Sequence, residues 1–89
     1  MSIAAHDREE ADHRDALLTA ARDIRAAVRR RRAAASEALG AYDGATGDRL
    51  VEAIAFLRAI KESDRAYSEA RASALERYAR RFQAASGRE

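Results

Sequence analysis

The sequence predicts an all-α protein made of two long antiparallel helices, a helical hairpin with a heptad seam that pairs into a four-helix bundle. Three observations carry this. Helix formers (Ala, Leu, Arg, Glu) dominate the 89 residues, proline is absent, and the glycines Gly40, Gly44 and Gly47 cluster near the middle. With no proline to break a helix and one glycine-rich stretch to reverse the chain, two helices of similar length follow.

The first helix is expected over about residues 3–42. Ser2 is a possible N-cap, and Asp7 with Glu10 forms a capping-box-like alternative. The loop is expected over about 43–48, within Tyr42-Asp43-Gly44-Ala45-Thr46-Gly47-Asp48, where Gly44 closes the first helix in a left-handed conformation. Asp48 or Thr46 caps the second helix, which runs over about 49–86 and stops at Ser86-Gly87. The chain thus forms a single domain, 1–89.

Apolar spacing supports the same architecture. Leu17, Ala21, Ile24, Val28, Ala35, Ala38 and Tyr42 step by fours and threes, with an arginine at one skipped position. Leu50, Ile54, Leu57, Lys61, Asp64, Ser68, Arg71, Leu75, Tyr78 and Phe82 do the same in the second half. This spacing reads as a coiled-coil seam between the two helices. A second stripe, Ala53, Phe56, Ile60, Tyr67, Ala70 and Ala74, then remains for another chain. The residues expected at that partner interface are Val51, Phe56, Ile60 and Tyr67.

Charge is distributed in blocks. Residues 2–15 carry a net −3, 16–36 carry +5, 37–64 carry −3 and 65–89 carry +3, within a net charge of +2. Reversal at Gly44 lays the acidic start beside the basic end, and opposite charges across a seam set orientation more than stability. Hydrophobic residues make up 47% of the chain, but more than half of them are alanine. Alanine buries little area, so association with another chain, itself or a related hairpin, is expected.

Several function classes find no support. There is no cysteine, hence no disulfide framework and no thiolate metal site. No Ser-His-Asp arrangement or Gly-rich phosphate loop can be assembled, so neither an enzyme nor a cofactor is expected. No stretch approaches the roughly 20 apolar residues of a membrane span, and no cleavable signal is visible. A cytoplasmic location is expected, with signal-less secretion as the alternative.

Two clusters are candidate sites. Arg29, Arg30, Arg31 and Arg32 surround the helix, because successive residues point roughly 100° apart. A nucleic-acid-binding regulatory module that grips phosphates through this run, with Arg22 and Arg25, is the alternative reading. The favoured reading is structural: Arg31 or Arg32 reaches Glu62 or Asp64 across the seam, and the others are solvated. His6, Glu10 and His13 share one helical face, and Glu10 to His13 has the Glu-x-x-His spacing of di-iron bundles. Facing carboxylates are lacking, so no metal is expected there. Tyr42, Tyr67 and Tyr78 read as packing residues with wet hydroxyls.

The layout of residues 15–60 resembles the small helical hairpins of the type VII secretion family, whose inter-helix loop carries Trp-x-Gly. Tyr42-Asp43-Gly44 stands in the matching place, with Leu17, Ile24 and Val28 before it and Leu50 and Leu57 after it. The resemblance implies a dimer, most often with a sister hairpin, and export without a cleaved signal. Tyr replaces Trp, and the C-terminal Tyr-x-x-x-Asp/Glu signal is missing, since Phe82 stands four residues after Tyr78.

Overall fold

The computed structural model describes residues 3–87 as two helices, α1 (Ile3–Gly44) and α2 (Arg49–Ser86), that pack along each other as an antiparallel hairpin. The Cα trace measures 69 × 16 × 7 Å, with a radius of gyration of 20.3 Å. A compact chain of this length has a radius of about 12 Å. The accessible surface is 7131 Å², against about 5,200 Å² for a compact monomer of this mass. The hairpin is a thin rod with an excess of surface.

The reversal is tight. α1 stays helical through Tyr42-Asp43-Gly44, and only residues 45–48 lie outside helix. No glycine has a positive φ, so Gly44 does not close α1 in a left-handed conformation. The helix ends instead in a single tightened turn, in which the Ala45 N–H donates to the Tyr42 carbonyl at 3.2 Å. Asp48 caps α2 as its residue type predicts: its backbone is extended and its carboxylate accepts from the Val51 N–H at 3.0 Å. Gly87 is the C-cap of α2 and donates its N–H to the Gln83 carbonyl. At the other end, Asp7 lies inside α1 and caps nothing, while Ser2 falls outside the described residues.

The seam differs from the expected one. The fully buried side chains are all alanines: Ala16, Ala20 and Ala27 in α1, Ala74 and Ala85 in α2. In α2 the residues turned toward α1 are Phe56, Ile60, Ser63, Tyr67, Ala70, Ala74 and Tyr78. The stripe assigned above to a second chain is therefore the inner one. Of the stripe assigned to the hairpin seam, Leu50, Leu57 and Leu75 in α2 face solvent at 70%, 62% and 50% exposure, while Tyr78 and Phe82 lie against α1 and the α1 members from Ala21 to Tyr42 are half-buried. Two physical reasons favour this choice. Closing the hairpin on the Leu50–Phe82 stripe would bury Lys61, Asp64 and Arg71 between two helices, at the desolvation cost of ions. The inner stripe of α2 carries no charge, and alanines at its most buried points let the helix axes approach closely. Buried positions recur about every 3.6 residues rather than every 3.5, so the pair needs little left-handed supercoil.

Interhelical contacts fix the register. His13 stacks on Phe82 with ring centroids 4.3 Å apart and shares a 2.9 Å hydrogen bond with the Ser86 hydroxyl. Arg81 bridges to Asp15 at 2.7 Å, so the acidic start does lie beside the basic end, and Arg77 reaches Asp23, the one acid of the next, basic block, at 3.1 Å. Nearer the turn, Tyr42 meets Phe56 at 6.0 Å, and Arg49 donates to the Tyr42 hydroxyl at 3.1 Å. That bond raises the Arg49 pKa above its ordinary value. Throughout, residues whose numbers add to about 97 stand side by side.

Candidate interaction surface

The helix period and the antiparallel pairing together decide which sides the remaining residues occupy. Each residue turns the helix by about 100°. In α1, Leu17, Ala21, Val28, Ala35 and Leu39 stand roughly a quarter turn beyond the seam; in α2, Leu50, Leu57 and Leu75 do so, with Phe82 nearer the seam and Ile54 farther round on the same side. The rotation has the same sense in both helices, and the helices run in opposite directions. Both stripes therefore lie on one side of the hairpin. The opposite side carries Asp23, Arg30, Glu37, Arg58, Glu62, Arg65, Glu69 and Glu76. There the charges pair locally, with Arg65 reaching Glu62 at 3.6 Å and Glu69 at 3.7 Å.

The apolar side has internal structure. Leu39 lies level with Leu57 near the turn, while Leu17 lies near Leu75 and Phe82 at the far end. Between these two apolar ends, α2 presents Lys61, Asp64, Ser68 and Arg71. Asp64 has no ionic partner among the described residues. Leu17, Leu18, Leu39, Leu50, Val51, Leu57 and Leu75 are each at least half exposed. Large apolar side chains left uncovered in two such groups mark an interaction surface.

Each residue singled out in the sequence now has a place. Val51 is exposed, at 61%, and by the helix period it stands on the side of Glu62 and Glu69, away from the apolar stripe. Phe56, Ile60 and Tyr67 are half-buried against α1 and are committed to the hairpin itself, which corrects their assignment to a partner chain. Arg31 does not reach Glu62 or Asp64. Its guanidinium lies 4.0 Å over the Tyr67 ring, a cation–π contact, and its carbonyl accepts from the Ser63 hydroxyl at 3.5 Å. A planar cation on a half-buried ring satisfies Arg31 without burying an ion pair. Arg29, Arg30 and Arg32 are exposed and point in different directions, so the run forms no single basic face.

His13 is engaged by Phe82 and Ser86, whereas His6 and Glu10 are exposed. Among the described residues no three His, Cys, Asp or Glu side chains are grouped to hold a metal ion. A groove at the turn, about 370 Å³, is lined by Tyr42, Asp43, Arg49 and Glu52. Among the described residues no helix is long and apolar enough to cross a membrane. The outward face was legible as a periodic stripe; which stripe turned outward was not.

Fold and surface together define an alanine-seamed helical hairpin with one apolar and one charged side. Comparison with models of known protein families, with curated proteins and with solved structures finds no match.

Proposed function

We propose that this chain is a non-enzymatic protein–protein interaction module that works by docking its apolar side onto another helical hairpin, either a second copy or a relative. The observation that carries the reading is the exposed stripe of Leu17, Leu39, Leu50, Ile54, Leu57, Leu75 and Phe82 on one side of a hairpin already closed by alanines. Burying a large aliphatic side chain is worth about 1.5–3 kcal/mol. The alanines at the centre of the seam gain little area, so the exposed aliphatic side chains leave a large share of the burial this sequence can supply for association. The product is a four-helix bundle whose outer surface is the charged side of each hairpin. The resemblance to type VII hairpins points to the same mode of action, since it implies pairing.

Sedimentation equilibrium at micromolar concentration tests the reading. The expected result is a species of twice the 9.8 kDa chain mass. A stable, fully helical monomer under those conditions would defeat it.

A further inference from the structure

We infer that the occupant of the apolar side is a second copy of this chain, laid on it in the opposite direction about a two-fold axis through Val28 and Ser68. The inference rests on the interaction reading above and specifies its partner and geometry. A two-fold interface requires a surface that is complementary to itself, and the α1 stripe with the Ile54, Asp64, Arg71 and Phe82 positions of α2 is, while Leu75 falls level with the alkyl stem of Lys61. On α1, Leu17 and Leu39 stand eleven residues to either side of Val28, and Ala21 and Ala35 stand seven. On α2, Ile54 and Phe82 stand fourteen residues to either side of Ser68. Asp64 and Arg71 stand four before it and three after. Val28 and Ser68 are themselves level with each other in the hairpin, because their numbers add to about 97 like those of the observed interhelical pairs.

Reversing a second copy about that point lays α1 on α1 and α2 on α2. Leu17 then meets Leu39 of the second copy, Ile54 meets Phe82, and Asp64 meets Arg71, each twice. The one acid of the central polar band thereby gains a basic partner, and Val28 and Ser68, small side chains on the axis, allow close approach. The point is also the middle of α2, so the two hairpins end flush. The N-terminal part of α1 overhangs, and it is the polar segment Asp7-Arg8-Glu9-Glu10 that would remain uncovered. Along a 38-residue α2, about 57 Å of rod and two helices wide, the contact covers about 800 Å² per copy, which is the size of a standard stable interface.

The chain lacks cysteine, so single-cysteine variants report the geometry directly. Val28→Cys on the full chain is expected to bridge to itself under mild oxidation, with Ser68→Cys repeating the result at the second axis position. Proximity in the dimer should make either bridge at least about tenfold faster than Arg58→Cys on the charged side. Laying the copies in the same direction instead would place α1 over α2, so a mixture of Val28→Cys and Ser68→Cys chains would bridge to each other and neither alone. That result overturns the inference while leaving association intact. A dimer in which none of these bridges forms faster than Arg58→Cys also overturns it. A helical monomer removes both the inference and the reading beneath it.

Discussion

The two apolar stripes of this hairpin differ in side-chain size, and that difference assigns their roles. The inner stripe is small: Ala16, Ala20, Ala27, Ala74 and Ala85 are the fully buried residues, with Phe56 and Tyr67 as half-buried wedges. The outer stripe is large, with leucines, isoleucine and phenylalanine that a single hairpin leaves 40–70% exposed. Small residues draw two helices together over a long, narrow contact; large residues need a facing surface with room for them. Intramolecular pairing, helped by the tight turn at 45–48, takes the stripe that packs closest. The proposed intermolecular pairing would use the stripe with more area to bury.

The largest effect expected from breaking this division is on the outer stripe. Ile54→Asp with Leu57→Asp is expected to weaken the dimer at least about a hundredfold, because each side chain contributes about 1.5–3 kcal/mol when buried. Sedimentation should show monomers that keep their helical circular dichroism, since both side chains are already 40% or more exposed in the hairpin. Next comes the inner stripe. Ala27 is 2% exposed, and Ala27→Leu should cost about 1–3 kcal/mol by forcing the helices apart. Thermal melting measures it, and an unchanged melting temperature would mean that the helices do not meet at Ala27. A stripe whose enlargement is tolerated, beside one whose charging is tolerated, would reverse the assignment of roles.

Much of this fold could be read before any coordinates. The missing proline, the glycine cluster and the charge blocks all follow from local chemistry, and the Asp48 cap and the acidic-to-basic alignment of Asp15 with Arg81 emerge as their types predict. What could not be read was the choice between two stripes of one helix. Hydrophobicity ranks Leu50, Ile54 and Leu57 above Ala70 and Ala74, so they look like the core. Burial went instead to the residues that allow close approach and leave Lys61, Asp64 and Arg71 in water. The stacking of Arg31 on Tyr67 was hidden for a related reason: ion-pair rules look for a carboxylate, while the ring lies one turn nearer the half-buried seam. Gly44 shows the opposite error, a residue with left-handed freedom that a short turn never uses.

The cap of α2 is a smaller lever on the inner contact. Asp48→Ala removes the 3.0 Å acceptor of the Val51 N–H and is expected to cost about 1 kcal/mol, read as a lower melting temperature. Asp48→Asn should restore most of it, because the amide oxygen accepts the same bond. A cost that Asn does not recover would locate the effect in charge rather than in the hydrogen bond.

The smallest effects belong to the two interhelical bridges on the charged side, and they separate distance from desolvation. Arg81–Asp15 is the shorter, at 2.7 Å, but Asp15 is 71% exposed; Arg77–Asp23 is 3.1 Å long, with Asp23 38% exposed. Exposed pairs contribute about 0.2–1 kcal/mol and fade as salt screens them. Asp23→Ala is therefore expected to lower the melting temperature more than Asp15→Ala, despite the longer bond, and its effect should persist better at high salt. Both variants should leave the sedimentation mass unchanged, because both bridges lie away from the apolar side. Were Asp15→Ala the costlier substitution, bond length would outweigh shielding from water in this rod, and a dimer lost with either would place the partner on the charged side instead.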